Sequence, residues 1–270
     1  MTQAPSKIQE TQNTNTEKCP VSIVMLTHNS EKKVEDALKS VAWADDIVIV
    51  DDLSTDPTVD IAQKYTSRIY HRKWEMEGAQ RNYAYSLAKH DFILSLDSDE
   101  RVTPELAQEI QDLIRTGPEL NAYDIPHKNY FGHYWIRHGG WYPNGKTKFF
   151  RKGKFRYEES EYHPRAFIDG KRAWMKGHLI HLAMDDYSNM IGKLNHMTTF
   201  EAKKWFREKR FFGAATLFRK MLTRFLKAYI QQQGYKDGWL GFMLALNGAL
   251  YQLLSYAKCW EIREREAGRF

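Results

Sequence analysis

Two acidic residues separated by one position, Asp97 and Asp99, stand just after the apolar run at residues 92–96, which is typical of a buried strand. Carboxylates in this arrangement can hold a hard divalent cation that also binds a diphosphate. Such a cation would offset the negative charge that develops on a departing nucleoside diphosphate. Acids at strand ends also serve as helix caps or solvated turns, so the surrounding elements must decide between the two interpretations.

A second acidic pair, Asp51 and Asp52, follows another apolar run at residues 46–50. An acid just beyond a strand can accept a hydrogen bond from a nucleotide base or a ribose hydroxyl. It can also cap the next helix, a role that Asp56 or a neighbouring hydroxyl would fill equally well. The two roles are compatible if Asp52 faces a ligand while Asp56 caps the helix.

Strand and helix patterns alternate over the first half of the sequence. Short apolar runs predict strands at residues 21–27, 46–50, 68–71 and 92–96, and periodic apolar residues predict helices at 30–41 (capped by Ser30), 58–65, 79–88 and 104–115. This alternation indicates an α/β fold with a mostly parallel sheet flanked by helices. Because ligands bind beyond the carboxyl ends of parallel strands, both acidic pairs should meet at one sheet edge.

The second half of the sequence is organised differently. Residues 121–171 predict loops and short strands, and from His178 the pattern is helical to the end. The length of 270 residues suits one large domain with an appendage, and 27% charged residues exclude a fibrous or membrane-embedded protein. Cys19 and Cys259 lack metal-ligand spacing, which favours a reducing compartment. Residues 1–18 are polar and predict a disordered tail rather than a signal peptide.

Four segments carry a resemblance to a known family. VSIVMLTHN (21–29), DDLSTD (51–56), GAQRN (78–82) and LDSDE (96–100) are similar in order and spacing to the motifs of family 2 glycosyltransferases. The similarity covers residues 21–170, and within the family the sequence most resembles bacterial lipopolysaccharide-core and other cell-envelope transferases. The resemblance implies a GT-A type donor domain, single displacement with inversion, and Mg²⁺ or Mn²⁺ as cofactor.

The resemblance also assigns residues to a donor site. It implies a UDP-sugar as donor, and it places Asp99 on the metal, Arg81 near the base or diphosphate, and Asp97 near the ribose or sugar. The residues that it implies around the uridine are Thr27, Asn29 and Asp52. Leu53 departs from the family, which usually has glycine or a small polar residue there. This departure alters the turn but leaves both acids in place.

Inversion requires a base, usually a carboxylate, that deprotonates the acceptor hydroxyl. The family places an acid in the segment after the donor domain, which here reads YEESEYHP (157–164). Related envelope transferases often carry His followed directly by Glu, whereas His163 is followed by Pro164, so we expect the base at Glu161 or, as second choice, at Glu159. His163 is a candidate for a further metal or phosphate contact. The alternative is that these are solvated loop charges and a structural histidine.

Residues 127–146 are rich in aromatic side chains, whose faces suit sugar rings and whose polar tips tolerate water. We expect an acceptor-side loop here, with Trp135 and Trp141 as stacking candidates for a glycan or glycolipid acceptor. An aromatic cluster that covers the sheet is an equally supported alternative.

Positive charge is concentrated in the C-terminal part of the chain. The stretch from Lys193 to Lys236 contains eleven Lys and Arg against two acids, or +9, so the rest of the chain carries −3 of the net +6. An amphipathic helix is predicted inside it, with Lys220, Arg224 and Lys227 away from the apolar face. This pattern favours an anionic membrane surface as partner, with ordinary core plus solvated charge as the alternative. The predicted apolar face consists of Ala214, Leu217, Phe218, Met221, Phe225 and Tyr229.

The stretch from Trp239 to Ala257 has nineteen residues without a charge, close to the minimum for a bilayer span. Asn247 and Gln252 favour a helix that packs on the catalytic domain or dips into the membrane interface. The predicted organisation is a nucleotide-sugar-binding and catalytic domain over residues 19–180 and a membrane-associating or acceptor-side helical extension over residues 181–270. We expect the protein in the cytoplasm, on the inner face of the bacterial plasma membrane.

Two other classes of protein share some of these features. A nucleotidyltransferase has a similar sheet and paired acids, but it needs a glycine-rich phosphate loop after the first strand, and residues 27–31 contain no glycine. A non-enzymatic module for anionic membranes or nucleic acid would explain the basic segment but not the first 170 residues. The sequence therefore predicts a glycosyltransferase that does not bind nucleic acid.

Overall fold

The structure, a computed structural model, describes residues 18–159 and 164–270, so the predicted tail lies almost wholly outside it. The sheet region contains strands β1 (Cys19–Thr27), β2 (Ala44–Asp51), β3 (Ile69–His71), β4 (Phe92–Asp97), β5 (Glu100–Val102), β6 (Ala122–Phe131), β7 (Tyr134–Trp135), β8 (Gly145–Arg151), β9 (Phe155–Tyr157), β10 (Ala166–Ile168), β11 (Arg172–Trp174) and β12 (Leu179–Met184). Its helices are α1 (Val34–Lys39), α2 (Thr58–Ala62), α3 (Glu77–Ser86) and α4 (Pro104–Thr116). The C-terminal region contains α5 (Tyr187–Arg207), α6 (Ala214–Leu226), a π-helical turn (Lys227–Gln231), a 3₁₀ turn (Gly234–Asp237) and α7 (Gly238–Glu266).

One large sheet has the strand order β3-β2-β1-β4-β8-β6-β12-β5, with β7 and β11 paired to β6. Strands β3, β2, β1 and β4 run parallel, β8 is antiparallel to both of its neighbours, and β12 is parallel to β6. Strands β9 and β10 form a separate antiparallel pair. The mainly parallel α/β architecture expected from the sequence is therefore confirmed.

Continuous apolar runs form the central strands because both faces of the sheet are covered. Ile23 and Met25 of β1 belong to the apolar cluster that includes α1 and α4, whereas Val24 belongs to the cluster that includes α3. This alternation is the period of a strand buried on both sides. The packing fixes the carboxyl ends of β1, β2 and β4 at a common edge.

Residues 121–184 contain more sheet than the sequence predicted. Strand β6 is ten residues long, and β12 occupies residues where helix was predicted, so the C-terminal helices begin only at Tyr187. Strand β6 buries Asp124, His127 and Asn129. Such polar residues interrupt the apolar pattern by which a strand is recognised, and hydrogen bonds to distant residues satisfy them.

The first helix begins later than predicted, at Val34. The hydroxyl of Ser30 does not cap it. Instead, Ser30 Oγ lies 2.9 Å from Ser98 Oγ and donates to the carbonyl of His28 at 3.2 Å. Ser30 therefore ties the end of β1 to the turn that carries Asp97 and Asp99.

The C-terminal helices are joined to the sheet region at the connection between β7 and β8. Asp237 accepts hydrogen bonds from the backbone N–H groups of Arg137 at 3.1 Å and His138 at 2.8 Å, and its second oxygen lies 2.7 Å from His138 Nδ1. Trp141 and Leu244 pack in one apolar cluster beside this junction. These contacts hold α7 against the aromatic loop.

One helical stretch, Gly234–Glu266, is long and apolar enough to cross a membrane by length and composition alone. A core helix passes the same test, and 39% of the most apolar window is buried inside the protein. Its buried residues include Gly241, Ala245 and Cys259, and α7 packs against both α5 and α6. The stretch is therefore weak evidence for a membrane span.

Candidate active site

A pocket of about 170 Å³ opens at the carboxyl ends of β1, β2 and β4. The structure brings four of the predicted donor-site residues to it, together with residues that the sequence analysis did not single out, among them His28, Trp74 and Gln80. The lining residues are Leu26, Thr27, His28, Val50, Asp52, Trp74, Gln80, Arg81 and Asp97. Both acidic pairs therefore meet at one edge of the sheet, although only one acid of each pair lines the pocket.

The two acids at the end of β2 have different roles. Asp51 is buried, and its carboxylate accepts hydrogen bonds from Thr27 Oγ1 at 2.8 Å and from both the backbone N–H (2.8 Å) and the hydroxyl (2.6 Å) of Ser54. Asp52 faces the pocket, where its Oδ1 accepts from the backbone N–H of Trp74 at 2.7 Å. Asp51 therefore holds the turn, while Asp52 remains available to a ligand.

The loops beside Asp52 are fixed by their own hydrogen bonds. Asn29 has a positive φ of 46° and accepts a hydrogen bond on Oδ1 from the backbone N–H of Thr55 at 2.9 Å. It does not line the pocket, and we assign its side chain to positioning this loop. Leu53 also has a positive φ, 50°, which is the conformation that glycine adopts with less strain. Asp56 accepts from the backbone N–H of Thr58 at 3.1 Å at the start of α2, as predicted.

Asp97 belongs to a buried network of charges. Its two oxygens contact Arg81 Nη1 at 3.2 Å and Lys148 Nζ at 2.7 Å. Lys148 also donates to Glu100 Oε2 at 2.7 Å, and Glu100 Oε1 lies 3.1 Å from His127 Nε2. Burial would raise the pKa of Asp97, but the charges of Arg81 and Lys148 outweigh burial and hold that pKa well below its usual range. The carboxylate at the pocket therefore stays ionised at neutral pH.

Asp99 lies next to a histidine that the sequence analysis missed. His181 of β12 has its Nε2 3.6 Å from Asp99 Oδ2, and both side chains are partly exposed. His181 Nδ1 lies 2.7 Å from the amide oxygen of Asn129, which can only accept, so Nδ1 carries the proton. In the neutral imidazole this leaves the lone pair on Nε2, the ring nitrogen that lies nearest Asp99. A carboxylate and an imidazole arranged in this way are suitable ligands for a divalent metal.

Helix α3 connects the donor-site network to the segment after β9. Asn82 exchanges two hydrogen bonds with the backbone of Tyr157, at 2.9 and 2.8 Å. Gly78 lies so close to this segment that an added Cβ would be 1.8 Å from the carbonyl oxygen of Glu158. Arg81, on the same helix, reaches Asp97. The GAQRN motif therefore joins two parts of the site, which its sequence alone did not indicate.

Most of the sheet region matches a known protein family. Residues 22–179, more than half of the chain, match the family described as glycosyl transferase family 2. The chain belongs to this family. The resemblance inferred from the four motifs is thereby confirmed, and the protein is a glycosyltransferase.

Individual relatives have low sequence identity to this chain. This glycosyltransferase is 25% identical over 258 residues to the lipopolysaccharide core biosynthesis glycosyltransferase LpsC of Rhizobium meliloti, covering 90% of this chain and 93% of the relative. Among solved structures, residues 1–349 of Staphylococcus aureus TarS in complex with UDP are similar with a TM-score of 0.44, 17% identity, and coverage of 93% and 92%. Mycobacterium tuberculosis glucosyl-3-phosphoglycerate synthase with Mn²⁺, UDP and product has a TM-score of 0.34, 18% identity, and coverage of 43% and 45%.

The predicted bases of the glycosyltransferase follow, in the sequence, the residues Tyr157 and Glu158 that α3 contacts. Glu159 is exposed, two residues after Tyr157. Glu161 and His163 lie outside the described residues, so their roles stay predictions. The neighbouring Glu158 donates its backbone N–H to the carbonyl of Arg165 at 2.8 Å.

The two tryptophans predicted to stack on an acceptor are both half-buried. Trp135 lies between two cations, with Arg137 4.6 Å and Lys128 Nζ 5.2 Å from its ring centroid. Trp141 packs against the apolar cluster that contains Ile136 and Leu244. The exposed aromatic of this loop is Tyr134. The tryptophans therefore support the loop, and stacking on a sugar stays a prediction for them.

Proposed function

We propose that this glycosyltransferase transfers a sugar from a UDP-sugar to a hydroxyl group of a cell-envelope glycan, with inversion and with a divalent metal. The observation that carries the proposal is the meeting of Asp52, Arg81 and Asp97 in one pocket, with the Asp99–His181 pair at the same end of β4. Asp52 matches the base or ribose of a nucleoside diphosphate, Arg81 matches its phosphates, and the Asp99–His181 pair matches the metal bound to those phosphates.

The nucleoside half of the donor fits the groups at the ends of β1 and β2. Asp52 is the acceptor for a base N–H or a ribose hydroxyl. Trp74 is partly exposed beside it and offers an aromatic face to the base. Arg81 is fixed by Asp97 and supplies positive charge toward the diphosphate.

The metal fits Asp99 and His181. Residues 18–159 and 164–270 contain no group of three or more acidic, histidine or cysteine ligands, so diphosphate oxygens and water would complete the coordination. Such a bound Mg²⁺ or Mn²⁺ would neutralise charge on the departing UDP. His163 is a further candidate ligand. Asn129 would keep His181 in the tautomer that presents Nε2.

The segment after β9 is proposed to act on the acceptor. Glu161, or else Glu159, is the proposed base that takes the proton of the acceptor hydroxyl. The hydrogen bonds between Asn82 of α3 and Tyr157, which precedes these residues in the sequence, support this assignment. The name of the R. meliloti relative, a lipopolysaccharide core enzyme, supports a lipopolysaccharide-core or related glycan as acceptor. We further propose a cytoplasmic enzyme, peripheral on the inner face of the plasma membrane, that contacts anionic lipid through Lys193 to Lys236.

Calorimetric titration with UDP, with and without Mn²⁺, tests the donor site. We expect Mn²⁺ to tighten UDP binding by at least about tenfold in the wild-type protein, and Asp99→Ala and His181→Ala each to remove that gain. Asp91→Ala is the matched control, because Asp91 is an exposed acid at the opposite end of the same strand. It should behave like the wild type.

Two outcomes would contradict the proposal. If UDP binds equally well with and without metal in all four proteins, the metal role of Asp99 and His181 is wrong. If UDP does not bind under any condition, titrations with GDP and CMP decide whether another nucleotide is the carrier. If UDP, GDP and CMP all fail to bind, the pocket is not a nucleotide site and the proposal is wrong.

A further inference from the structure

Helix α6 does not use its apolar residues as the sequence predicted. One part of the predicted face packs inside the protein: Leu217 is buried, and the rings of Phe225 and Tyr229 lie 5.7 and 5.8 Å from that of Phe242 in α7. Contact with α7 therefore occupies the side of α6 that was expected to meet a membrane. Phe218, which was assigned to the same face, is an exception.

A second line of apolar side chains on α6 remains exposed. Its members are four residues apart and continue into the π-helical turn, so they form one row along the helix axis. We call this row the α6 stripe. It consists of Phe218, Leu222, Leu226 and Ile230, with exposed fractions of 68%, 47%, 44% and 55%. Four large apolar residues in an exposed row are unusual on a helix that faces only water.

The charged residues next to the α6 stripe in the sequence have one sign. From Lys209 to Lys236 the chain contains seven Lys and Arg and no Asp or Glu. Arg219, Arg224 and Lys227 are exposed, whereas Lys220 turns inward over the rings of Phe212 and Trp205. A second copy of the chain seated on the stripe would bring like charges together, which disfavours a dimer. An anionic lipid surface matches both the apolar row and its basic border.

We propose that the α6 stripe inserts into the headgroup region of an anionic bilayer, with Arg219 and Lys227 on lipid phosphates. Trp239 extends the contact: it is 74% exposed and stacks on Phe242 at 5.2 Å, at the end of the layer where Ile230 lies. An exposed tryptophan with an apolar body and a polar N–H suits the membrane–water interface.

This orientation has a consequence for the acceptor, and that part of the inference rests on the proposed function. The contacts of Asp237 with Arg137 and His138 fix the helical layer to the loop between β7 and β8. A bilayer under α6 therefore holds this loop in a set position relative to lipid. The acceptor class that such an arrangement serves is an amphiphilic, lipid-linked glycan.

Co-sedimentation with phosphatidylcholine vesicles, with and without phosphatidylglycerol, tests the inference. We expect the wild-type protein to bind only the anionic vesicles, and the double variant Phe218→Ser/Leu222→Ser to bind them at least about tenfold more weakly. Phe167→Ser is the matched control, because Phe167 is 43% exposed on β10 of the sheet region. Its binding should equal that of the wild type. Arg219→Glu/Lys227→Glu should also weaken binding, and the loss should be greater at low salt.

Each contrary result is distinct. The inference is wrong if the wild-type protein does not bind anionic vesicles. It is also wrong if the double variant binds them as well as the wild type does. A dimer in analytical ultracentrifugation that Phe218→Ser/Leu222→Ser dissociates also overturns it, in favour of a second copy on the stripe. UDP titrations of the same variants separate this question from the donor site: unchanged UDP binding with lost vesicle binding supports the stripe, and absence of UDP binding in every protein would affect only the proposed transfer.

Discussion

The donor pocket and the helical layer use charge in opposite ways. At the pocket, the buried Glu100 and the partly buried Asp97 are ionised and paired at short range with Arg81 and Lys148. On α6, basic residues stand in water beside an exposed apolar row and have few acids near them in sequence. The first arrangement fixes individual atoms for a ligand of defined shape, whereas the second supplies net attraction toward a surface without fixed positions. Stability should therefore depend on charges at the pocket and hardly at all on those of α6.

The strongest test of this contrast removes one cation from each region. Lys148→Met should lower the free energy of unfolding by about 3–5 kcal/mol, because it leaves the buried Glu100 and the partly buried Asp97 without their shared counter-ion. Lys227→Met should change it by less than about 0.5 kcal/mol, because Lys227 is exposed. Denaturant unfolding of both variants measures the difference. Equal stability of the two would mean that the pocket network contributes nothing beyond a surface pair.

Acid should destabilise the pocket region first. Burial would raise the pKa of Glu100, but Lys148 and His127 hold it at about 2, below its ordinary value of 4.5. Between these two pKa values the unfolded chain binds a proton at Glu100 that the folded chain does not bind. This stabilisation is therefore complete above pH 4.5 and is lost as the pH falls toward 2. The loss should reach roughly 2 kcal/mol by about pH 3.

Unfolding free energies measured between about pH 6 and pH 3 check this acid sensitivity. Glu100→Gln should show a shallower pH dependence than the wild type. An identical slope in both proteins would assign the acid sensitivity to other carboxylates.

Substitution of one glycine in each region tests the same comparison through smaller changes in stability. Gly78→Ala should destabilise by about 1–3 kcal/mol and lower the rate of sugar transfer, because the new Cβ meets the backbone of Glu158, which directly precedes the proposed bases. Gly192→Ala in α5 should stabilise by about 0.5–1 kcal/mol, since no atom lies within 4 Å of its added Cβ and alanine favours helix. Thermal unfolding measures both changes. Opposite signs are the expected result.

Sequence reasoning succeeded where residues act through their neighbours in the chain. The apolar runs of β1, β2 and β4 are continuous because these strands are buried on both faces, and the acids at their ends therefore fell at one edge as predicted. The capping role of Asp56 was likewise local. The site residues that could be predicted are those that lie at the end of a strand and interact within the same βα unit.

The rest of the site depends on contacts between distant residues. His181 reaches Asp99 only because β12 pairs with β5 and β6, and the short β12 was predicted as helix. Lys148 had no signal in the sequence, because its partners lie 51 and 48 residues away. Gly78 had a visible signal, a glycine inside a helical pattern, but the reason for it is the backbone of Glu158. The exposed α6 stripe was hidden because a helical wheel does not show which of two apolar rows α7 covers.

The adjacent positions of Arg81 and Asn82 on α3 have a consequence for the order of events during turnover. One residue is bound to the donor pocket through Asp97, and the next is bound to the backbone that precedes the candidate bases. A short helix moves nearly as a rigid body, so a shift of Arg81 on binding of the proposed donor would be transmitted to Tyr157, just before the proposed bases. Arrival of the donor would thus prepare the place where the acceptor must bind, and the kinetics of the two substrates would be ordered rather than random.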